Sequence, residues 1–182
     1  MKTLKKILSV VLVVAMLASM LIVGAAAAET EKTNYEEAAA VVIGLGIIEG
    51  DENGMNYQGL VTREQAAKII AYLLLGEKTA EALKTTAAPF ADVAATRWSA
   101  GYIAYLKGQG IISGVSDTEF DPTANVTGIA FAKMLLVAAG YGKAGEFEGK
   151  DWDINTITFA NDNGVFAGTK AADVAAAAPR EA

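Results

Sequence analysis

The residue best placed for binding chemistry is Arg63, which stands between a threonine and a glutamate at the start of an apolar helical segment. A helix N-terminus carries backbone amides without intrahelical acceptors and the positive end of the helix dipole. An arginine there adds a planar fork of donors that fits a carboxylate or a phosphate. The segment therefore predicts an anion site at Arg63. The alternative is a solvated Arg63 beside a capping box, in which Thr62 and Gln65 bond each other's amides.

The composition gives little support to catalysis or metal binding. The chain has no His and no Cys, which removes the commonest general base and the commonest metal ligand. Asp117 and Glu119 are close in sequence, but they lie in a predicted exposed loop without an apolar pocket around them. The segment 51–54 lacks the spaced oxygen ligands of a calcium loop. We predict no enzymatic activity, no metal and no cofactor.

The two tryptophans, Trp98 and Trp152, each precede an apolar helical stretch. An exposed indole could stack on a sugar ring, whereas a tryptophan at a helix start more often anchors a core or a groove wall. If Trp98 is a core anchor, Trp98→Ala should cost about 3–5 kcal/mol of stability. Both interpretations stay open at this point.

One pattern occurs three times along the chain. Gly-Ile-Ile-x-Gly stands at 46–50 and 110–114, and Gly-Val-Phe-Ala-Gly stands at 164–168. After the first two copies comes a turn-rich stretch and then Thr62 or Thr127, each followed by an apolar helical segment. Pro179 takes this place after the third copy. Units of roughly 50–65 residues cannot bury their apolar faces alone, so we expect them to stack on one another.

Helical periodicity predicts an all-α fold. The expected apolar face of the helix after Thr62 consists of Ala66, Ile69, Ile70, Leu73 and Leu74. The predicted organisation is a signal peptide at 1–28, a leader at 29–34, a first repeat at 35–76, a spacer at 77–88, a second repeat at 89–142 and an incomplete third repeat at 147–182.

The N-terminus has the pattern of a secretory signal peptide. Three lysines precede an apolar run from Ile7 to Val23, and three alanines precede Glu29. Cleavage after Ala28 removes the three lysines and changes the net charge from −6 to −9. A chain with this negative charge is repelled by nucleic acid and by an anionic membrane surface. We therefore expect contact with a membrane only during export.

Several of these motifs together resemble the S-layer homology domain family. They are Phe90-Ala91-Asp92-Val93, Trp98, the 110–114 motif, Phe120-Asp121-Pro122 and Thr62-Arg63-Glu64. The resemblance covers about residues 35–182. It implies a mostly helical fold in which three units, the third truncated, pack as a pseudo-threefold spindle. It also implies non-covalent anchoring of a secreted, S-layer-type protein to the bacterial cell wall.

The expected partner in that family is an anionic, often pyruvylated, secondary cell-wall polysaccharide, with other S-layer subunits as further partners. The alternative function is a structural or protein-binding helical module of the cell envelope that binds no glycan. By the resemblance, the arginine after the threonine meets the ligand carboxylate. The residues matched to the ligand site are Arg63, Thr62, Glu64, Arg180, Glu181, Trp98, Gly50 and Gly114.

The second repeat departs from this pattern because Gly128 stands where the family has arginine. Its groove is therefore expected to be inactive. Gly128→Arg should then leave the fold intact and add affinity for the wall polymer. Arg63→Ala, in contrast, should weaken wall binding with little effect on stability.

Overall fold

The computed structural model describes residues 35–50, 54–142, 145–166 and 174–180. In these residues it contains six α-helices and no β-sheet, which confirms the all-α prediction. The helices are α1 Glu36–Gly44, α2 Arg63–Leu75, α3 Glu77–Glu81, α4 Ala100–Gly108, α5 Gly128–Ala138 and α6 Trp152–Asp162. None of these described helices is long and apolar enough to cross a membrane. The predicted signal peptide and leader, and the segment 51–53, lie outside the described residues.

The chain divides into two compact units, with the boundary after Gln58. The first unit contains α1, which has no buried residue. The helix ends shortly before Gly46, whose φ is 65°. This left-handed conformation suits glycine and is typical of the residue that follows a helix end. The second unit runs from Gly59 to Arg180 and contains the other five helices.

Three corresponding segments of the repeats meet in the second unit through a closed ring of backbone hydrogen bonds. The Val61 amide donates to the Ala178 carbonyl (2.9 Å), the Ala178 amide to the Val126 carbonyl (2.9 Å) and the Val126 amide to the Val61 carbonyl (2.8 Å). All three residues are buried. Each stands one position before the threonine or proline aligned between the repeats. The ring therefore joins the segments that precede Thr62, Thr127 and Pro179, while the pseudo-threefold spindle of complete repeats stays a prediction.

Local signals at the helix ends are confirmed. Thr62 and Gln65 form the predicted capping box, with the Thr62 amide donating to Gln65 Oε1 (2.9 Å) and the Gln65 amide to Thr62 Oγ1 (3.3 Å). Thr127 caps α5 by accepting from the Ala130 amide at 3.2 Å. These bonds satisfy amides that would otherwise lack acceptors at the start of each helix.

The buried face of α2 differs in part from the predicted one. Ala66 and Ile70 are fully buried, but Leu73 and Leu74 are 45% and 37% exposed. The reason is α3, which follows directly after Gly76 and packs against Ala71 and Tyr72 instead. The turn at Gly76, with a φ of 75°, thus decides which side of the last helical turns faces the interior.

The main core draws side chains from all three repeats, as stacking of the repeats requires. Its buried members are Val61, Ala66, Ala67, Ile70, Phe90, Val93, Ala100, Ile103, Leu106, Ile111, Ile112, Phe120, Val126, Met134 and Ala178. A smaller cluster of Leu136, Phe147 and Ala160 joins α5 to α6. Trp98 belongs to neither cluster and is 54% exposed, so the core-anchor interpretation of Trp98 is wrong.

Candidate functional site

Arg63 begins α2, and its side chain reaches the second repeat. Nε donates to the Phe120 carbonyl at 2.7 Å, and Nη2 donates to the Ser113 carbonyl at 3.1 Å. The guanidinium carbon lies 4.5 Å from the centroid of the Phe120 ring. Burial lowers the pKa of Arg63, and the charges of Asp121 and Asp92 oppose this shift. These five residues, Arg63, Asp92, Ser113, Phe120 and Asp121, are called the Arg63 cleft below.

The hydrogen bonds of Arg63 determine which edge of the guanidinium can meet a ligand. They use Nε and one N–H of Nη2, and Nη1 takes part in neither. The side edge of the fork is therefore bonded within the protein, whereas the Nη1–Nη2 end presents two parallel donors. Because the internal bonds already fix the plane of the fork, little rotational freedom is lost when a carboxylate binds there.

The backbone amides at the start of α2 are already bonded. The Arg63 amide donates to the Ala124 carbonyl at 2.8 Å, and the Glu64 amide donates to the Pro122 carbonyl at 3.1 Å. The expectation that these amides stand ready for an anion is therefore wrong, because the loop of the second repeat supplies their acceptors. The donors that these two contacts leave for an anion at this position are those of the guanidinium.

Asp92 shapes the loop that Arg63 contacts. Its carboxylate accepts from the Phe120 amide at 2.9 Å and from the Asp121 amide at 2.7 Å. Burial raises the pKa of Asp92, but these backbone hydrogen bonds and the charge of Arg63 outweigh burial and hold the pKa below its usual value. Asp121 has a φ of 56°, a left-handed conformation that the two bonded amides stabilise. Asp92 thereby fixes the carbonyl of Phe120 for Arg63.

Gly114 permits the tight turn that carries the Ser113 carbonyl. A Cβ at Gly114 would collide with the carbonyl oxygens of Ser116 and Glu119 and would lie 2.8 Å from the Phe90 ring. The corresponding Gly50 lies in the first unit, where a Cβ would stand 2.8 Å from the Gly54 carbonyl. Both glycines are thus required for close backbone approach, and Gly114 is the one that borders the Arg63 cleft.

Glu64 is bound to the start of the second repeat. Its Oε2 accepts from Arg97 Nε at 2.7 Å and from Ser99 Oγ at 2.6 Å, and its Oε1 accepts from Arg97 Nη2 at 2.8 Å. Glu64 is 6% exposed and the Arg97 side chain is 30% exposed, so this bidentate ion pair joins a buried carboxylate to a partly exposed guanidinium. Burial raises the pKa of Glu64, but side-chain hydrogen bonds from Arg97, Ser99 and Trp98 and the charge of Arg97 hold it below its usual value. Sequence reasoning missed Arg97 and Ser99, whose only signal is that they flank Trp98.

Trp98 lies on the surface beside this ion pair. Its ring meets the Tyr102 ring edge to face, with centroids 6.2 Å apart and an interplanar angle of 63°. Tyr102 in turn meets the buried Tyr72 ring edge to face at 6.1 Å. The indole therefore has a supported edge and a large exposed area.

The positions matched to Arg63 in the other repeats are Arg180 and Gly128. The Arg180 amide donates to the Gly59 carbonyl at 2.9 Å, and Glu181 lies outside the described residues. At Gly128 a Cβ would lie 2.9 Å from the Val174 carbonyl oxygen and 3.1 Å from the Val174 Cα. We therefore expect Gly128→Arg to lower stability, in contrast to the expectation from sequence, because the backbone of the third repeat occupies that space.

Charge is distributed unevenly around the cleft. Residues 59–142 contain seven basic and seven acidic side chains, so the excess negative charge lies in the flanking sequence. An anionic ligand at Arg63 therefore meets a locally neutral part of an acidic chain. In the described ranges, no group of three or more His, Cys, Asp or Glu side chains could hold a metal ion.

Comparison with known proteins matches two segments of the chain, residues 29–67 and 89–132, to the S-layer homology domain. The chain is 33% identical over 171 residues to the Surface-layer 125 kDa protein of Lysinibacillus sphaericus, an overlap of 86% of this chain and 14% of that protein. It is 29% identical over 174 residues to a cell surface protein of Thermoanaerobacter kivui, covering 92% of this chain and 22% of that protein. It is also 36% identical over 89 residues to an endoglucanase of a Bacillus species, covering 47% of this chain and 10% of that protein. The chain thus spans a small part of each relative's length.

Proposed function

The chain carries S-layer homology domains of a secreted cell-surface protein, and from this premise we propose that its Arg63 cleft binds an anionic polysaccharide of the cell wall. These domains and relatives support anchoring of surface proteins to the wall by a module without catalytic activity. The observation that carries the finer proposal is the guanidinium of Arg63, held by the Phe120 and Ser113 carbonyls with its Nη1–Nη2 end outside those bonds.

The chemistry of the cleft favours a carboxylate as the group that is bound. Two parallel N–H donors match the two oxygens of a carboxylate, and partial burial strengthens the interaction. Asp92 and Asp121 are close enough to Arg63 to influence its pKa, so a doubly charged phosphate would meet more repulsion than a singly charged carboxylate. A pyruvylated sugar, whose ketal bears one carboxylate, fits this requirement.

The other matched residues take different roles in this proposal. Thr62, Glu64 and Gly114 position the cleft: Thr62 caps α2, Glu64 ties its first turn to Arg97, and Gly114 allows the turn at Ser113. Gly50, Arg180 and Glu181 belong to corresponding sites in the first and third repeats. The ligand contact itself is assigned to Arg63.

The proposal is tested by pelleting the exported chain with purified wall sacculi. Arg63→Ala should weaken binding by about 1.5–3 kcal/mol, because it removes a charge-assisted bidentate contact. Arg63→Lys should also bind more weakly, because an ammonium group cannot supply the planar fork. Lys78→Ala is the matched control, since it removes one positive charge from an exposed position on α3.

Thermal melting must accompany the pelleting assay. Arg63 also bonds two carbonyls and covers the Phe120 ring, so its removal affects the fold as well as the ligand. We therefore expect Arg63→Ala to lower stability as well as binding, in contrast to the expectation from sequence. Binding is compared at a temperature where every variant is folded. Wild-type binding by folded Arg63→Ala would contradict the proposal, and binding that survives extraction of the polysaccharide would favour the protein-binding alternative.

A further inference from the structure

We propose that Lys107, in the last turn of α4, is a positioning residue for the Arg63 cleft and acts on Arg63 through the stacked rings of Phe90 and Phe120. The inference rests on the proposed function of the cleft and adds a residue outside the cleft on which ligand affinity depends. Lys107 does not contact the ligand in this proposal. It holds the segment 89–92, which packs against the two backbone turns that fix Arg63.

The first observation is a continuous stack of two cations and two aromatic rings. The Lys107 ammonium nitrogen lies 3.8 Å from the centroid of the Phe90 ring. The Phe90 and Phe120 rings stack with centroids 5.4 Å apart and an interplanar angle of 27°. The guanidinium carbon of Arg63 lies 4.5 Å from the Phe120 centroid. Each buried ring thus contacts one cation and the other ring.

The second observation is that Phe90 packs against both backbone turns that hold Arg63. Its ring stacks on Phe120, whose carbonyl accepts from Arg63 Nε. Its Cε1 lies 2.8 Å from the place where a Cβ would stand on Gly114, and Gly114 follows the other acceptor, Ser113. Side chains and backbone in a close-packed interior do not move independently of one another. A displacement of Phe90 is therefore transmitted to both acceptors of Arg63.

The third observation is that Lys107 holds the backbone next to Phe90 as well as its ring. The Lys107 ammonium group donates to the Pro89 carbonyl at 2.6 Å, although Lys107 itself is exposed. Two residues after Phe90, the Asp92 carboxylate accepts from the Phe120 amide at 2.9 Å. This segment is thus tied to Lys107 at one end and to the Phe120 backbone at the other. Lys107 therefore restrains, from the surface, the backbone that Arg63 uses.

The fourth observation comes from the corresponding positions in the next repeat. Lys107 stands three residues before the first glycine of its repeat motif, and at that position the third repeat has Asn161. The third repeat also meets Gly128 where the second repeat meets Arg63. The two cations of the stack thus occur together between the first and second repeats, and both are replaced between the second and third. This joint replacement fits a lysine that serves the arginine.

The Nε–H signal of Arg63 in a nitrogen–proton correlation spectrum gives a direct test. The chain has three arginines, so Arg63→Lys identifies the signal by its disappearance. A guanidinium over an aromatic face is shielded by the ring, so the signal reports how Arg63 and Phe120 lie relative to each other. We expect Lys107→Met to shift this signal and Lys107→Arg to restore it. An unchanged Arg63 signal in Lys107→Met would overturn the inference.

Affinity for purified wall sacculi is the second readout. Lys107→Met keeps the aliphatic stem and the helix propensity, and it should lower affinity about two- to fivefold, the factor that one exposed cation–π contact is worth. Lys107→Arg should restore most of the affinity, because a guanidinium also binds an aromatic face and donates to a carbonyl. In folded Arg63→Ala, Lys107→Met should cause no further loss, since the residue through which Lys107 acts is absent.

Lys78→Met is the matched control for charge, because it removes one positive charge from an exposed position on α3. It should bind sacculi like the wild type and leave the Arg63 signal in place. An affinity loss in Lys78→Met equal to that in Lys107→Met would show a general effect of net charge and would overturn the positioning role.

The results separate this inference from the proposed function. Wild-type affinity in folded Lys107→Met, together with weaker binding by folded Arg63→Ala, would overturn the positioning role and leave the Arg63 proposal in place. Wild-type affinity in folded Arg63→Ala would overturn the proposed function and, with it, the effect of Lys107 on binding. A shifted Arg63 signal and lower affinity in Lys107→Met, both recovered in Lys107→Arg, are the results expected for a positioning residue.

Discussion

Two interfaces between repeats share the same backbone hydrogen bonds but differ in their side chains. In the first interface, where α2 packs on α4, the buried carboxylate of Glu64 forms an ion pair with the partly exposed Arg97. In the second interface, where α5 packs on α6, Ile129 stands at the position of Glu64 and Asp151 at the position of Arg97. The charged pair is thus absent from these two positions, and the side chain at the Glu64 position is simply apolar.

The arginine position shows the same divergence. In the first interface Arg63 reaches the Phe120 and Ser113 carbonyls, whereas in the second interface Gly128 lets the backbone of Val174 approach. Both helices nevertheless begin with a threonine cap, and both join the same ring of backbone hydrogen bonds. The cap and the ring are therefore what the fold requires. The arginine and the ion pair are additions of the first interface, which is why we assign ligand binding there.

The largest expected effect comes from removing one partner of the ion pair. Arg97→Ala leaves the buried Glu64 carboxylate with the Ser99 hydroxyl as its remaining side-chain donor, at 2.6 Å, so we expect a larger loss of stability than from the other variants below. Asp151→Ala in the second interface is the matched control, since Asp151 is exposed and its side chain makes no cap bond to α6. That control should change stability by less than about 0.5 kcal/mol. Equal effects in chemical denaturation would show that the two interfaces do not differ as described.

The helices and their ends could be predicted because their signals are local. The capping box at Thr62, the cap at Thr127 and the helix end near Gly46 each depend on residues within one turn of the chain. The buried face of α2 was predicted less well, because α3 folds back at Gly76 and buries Tyr72 instead of the leucines. Periodicity predicts that a helix has an apolar face. Which of its apolar residues are buried depends on the neighbouring element, here α3.

The candidate site could be predicted only in part for the same reason. Arg63 was identified from its place after a helix cap, but the partners of Glu64 stand 33 and 35 residues further along the chain. The acceptors of the α2 amides also come from a distant loop, at Ala124 and Pro122. These contacts depend on how the second repeat approaches α2, and single-sequence patterns carry no signal for that approach. The sequence leaves the exposure of Trp98 open, because an aromatic residue at a helix start suits a core as well as a surface.

The pH dependence of Glu64 gives the next prediction. Its lowered pKa means that the folded state favours the ionised carboxylate, so its contribution is complete above the usual glutamate pKa of 4.5 and is lost as pH falls through the folded pKa. Glu64→Gln should cost about 1.5–3 kcal/mol at neutral pH. The difference from wild type should shrink as pH falls from 4.5 through the folded pKa of Glu64. Asp92 titrates in both proteins, so the difference isolates Glu64, and a difference that stays constant until both proteins unfold in acid would contradict the assignment.

Gly128→Arg tests whether the second interface can be converted into the first. The new Cβ would press on the Val174 backbone, so we expect a loss of about 1–3 kcal/mol and no gain in wall binding. Gly108→Arg is the matched control, because it adds the same charge where a Cβ meets nothing within 4 Å. Normal melting of Gly128→Arg with increased binding to sacculi would mean that the third repeat moves aside to admit an arginine.

The smallest effect is expected at Lys133 on α5, whose ammonium group lies over the Trp152 ring of α6 in the second interface. Its Nζ lies 5.2 Å from the centroid of the Trp152 ring. Burial lowers the pKa of Lys133, and Glu148 opposes this shift, so the ammonium group is partly desolvated where it meets the ring. A cation–π contact contributes about 0.5–1 kcal/mol, and relief of desolvation offsets part of that when the charge is removed. Lys133→Met keeps the aliphatic stem and the helix propensity of α5, so it should destabilise the protein by no more than about 0.5 kcal/mol.

A double-mutant cycle with Trp152→Phe measures the coupling between Lys133 and Trp152. A coupling above about 2 kcal/mol would place Lys133 beside Arg97 as a main inter-repeat contact and remove the distinction between the two interfaces.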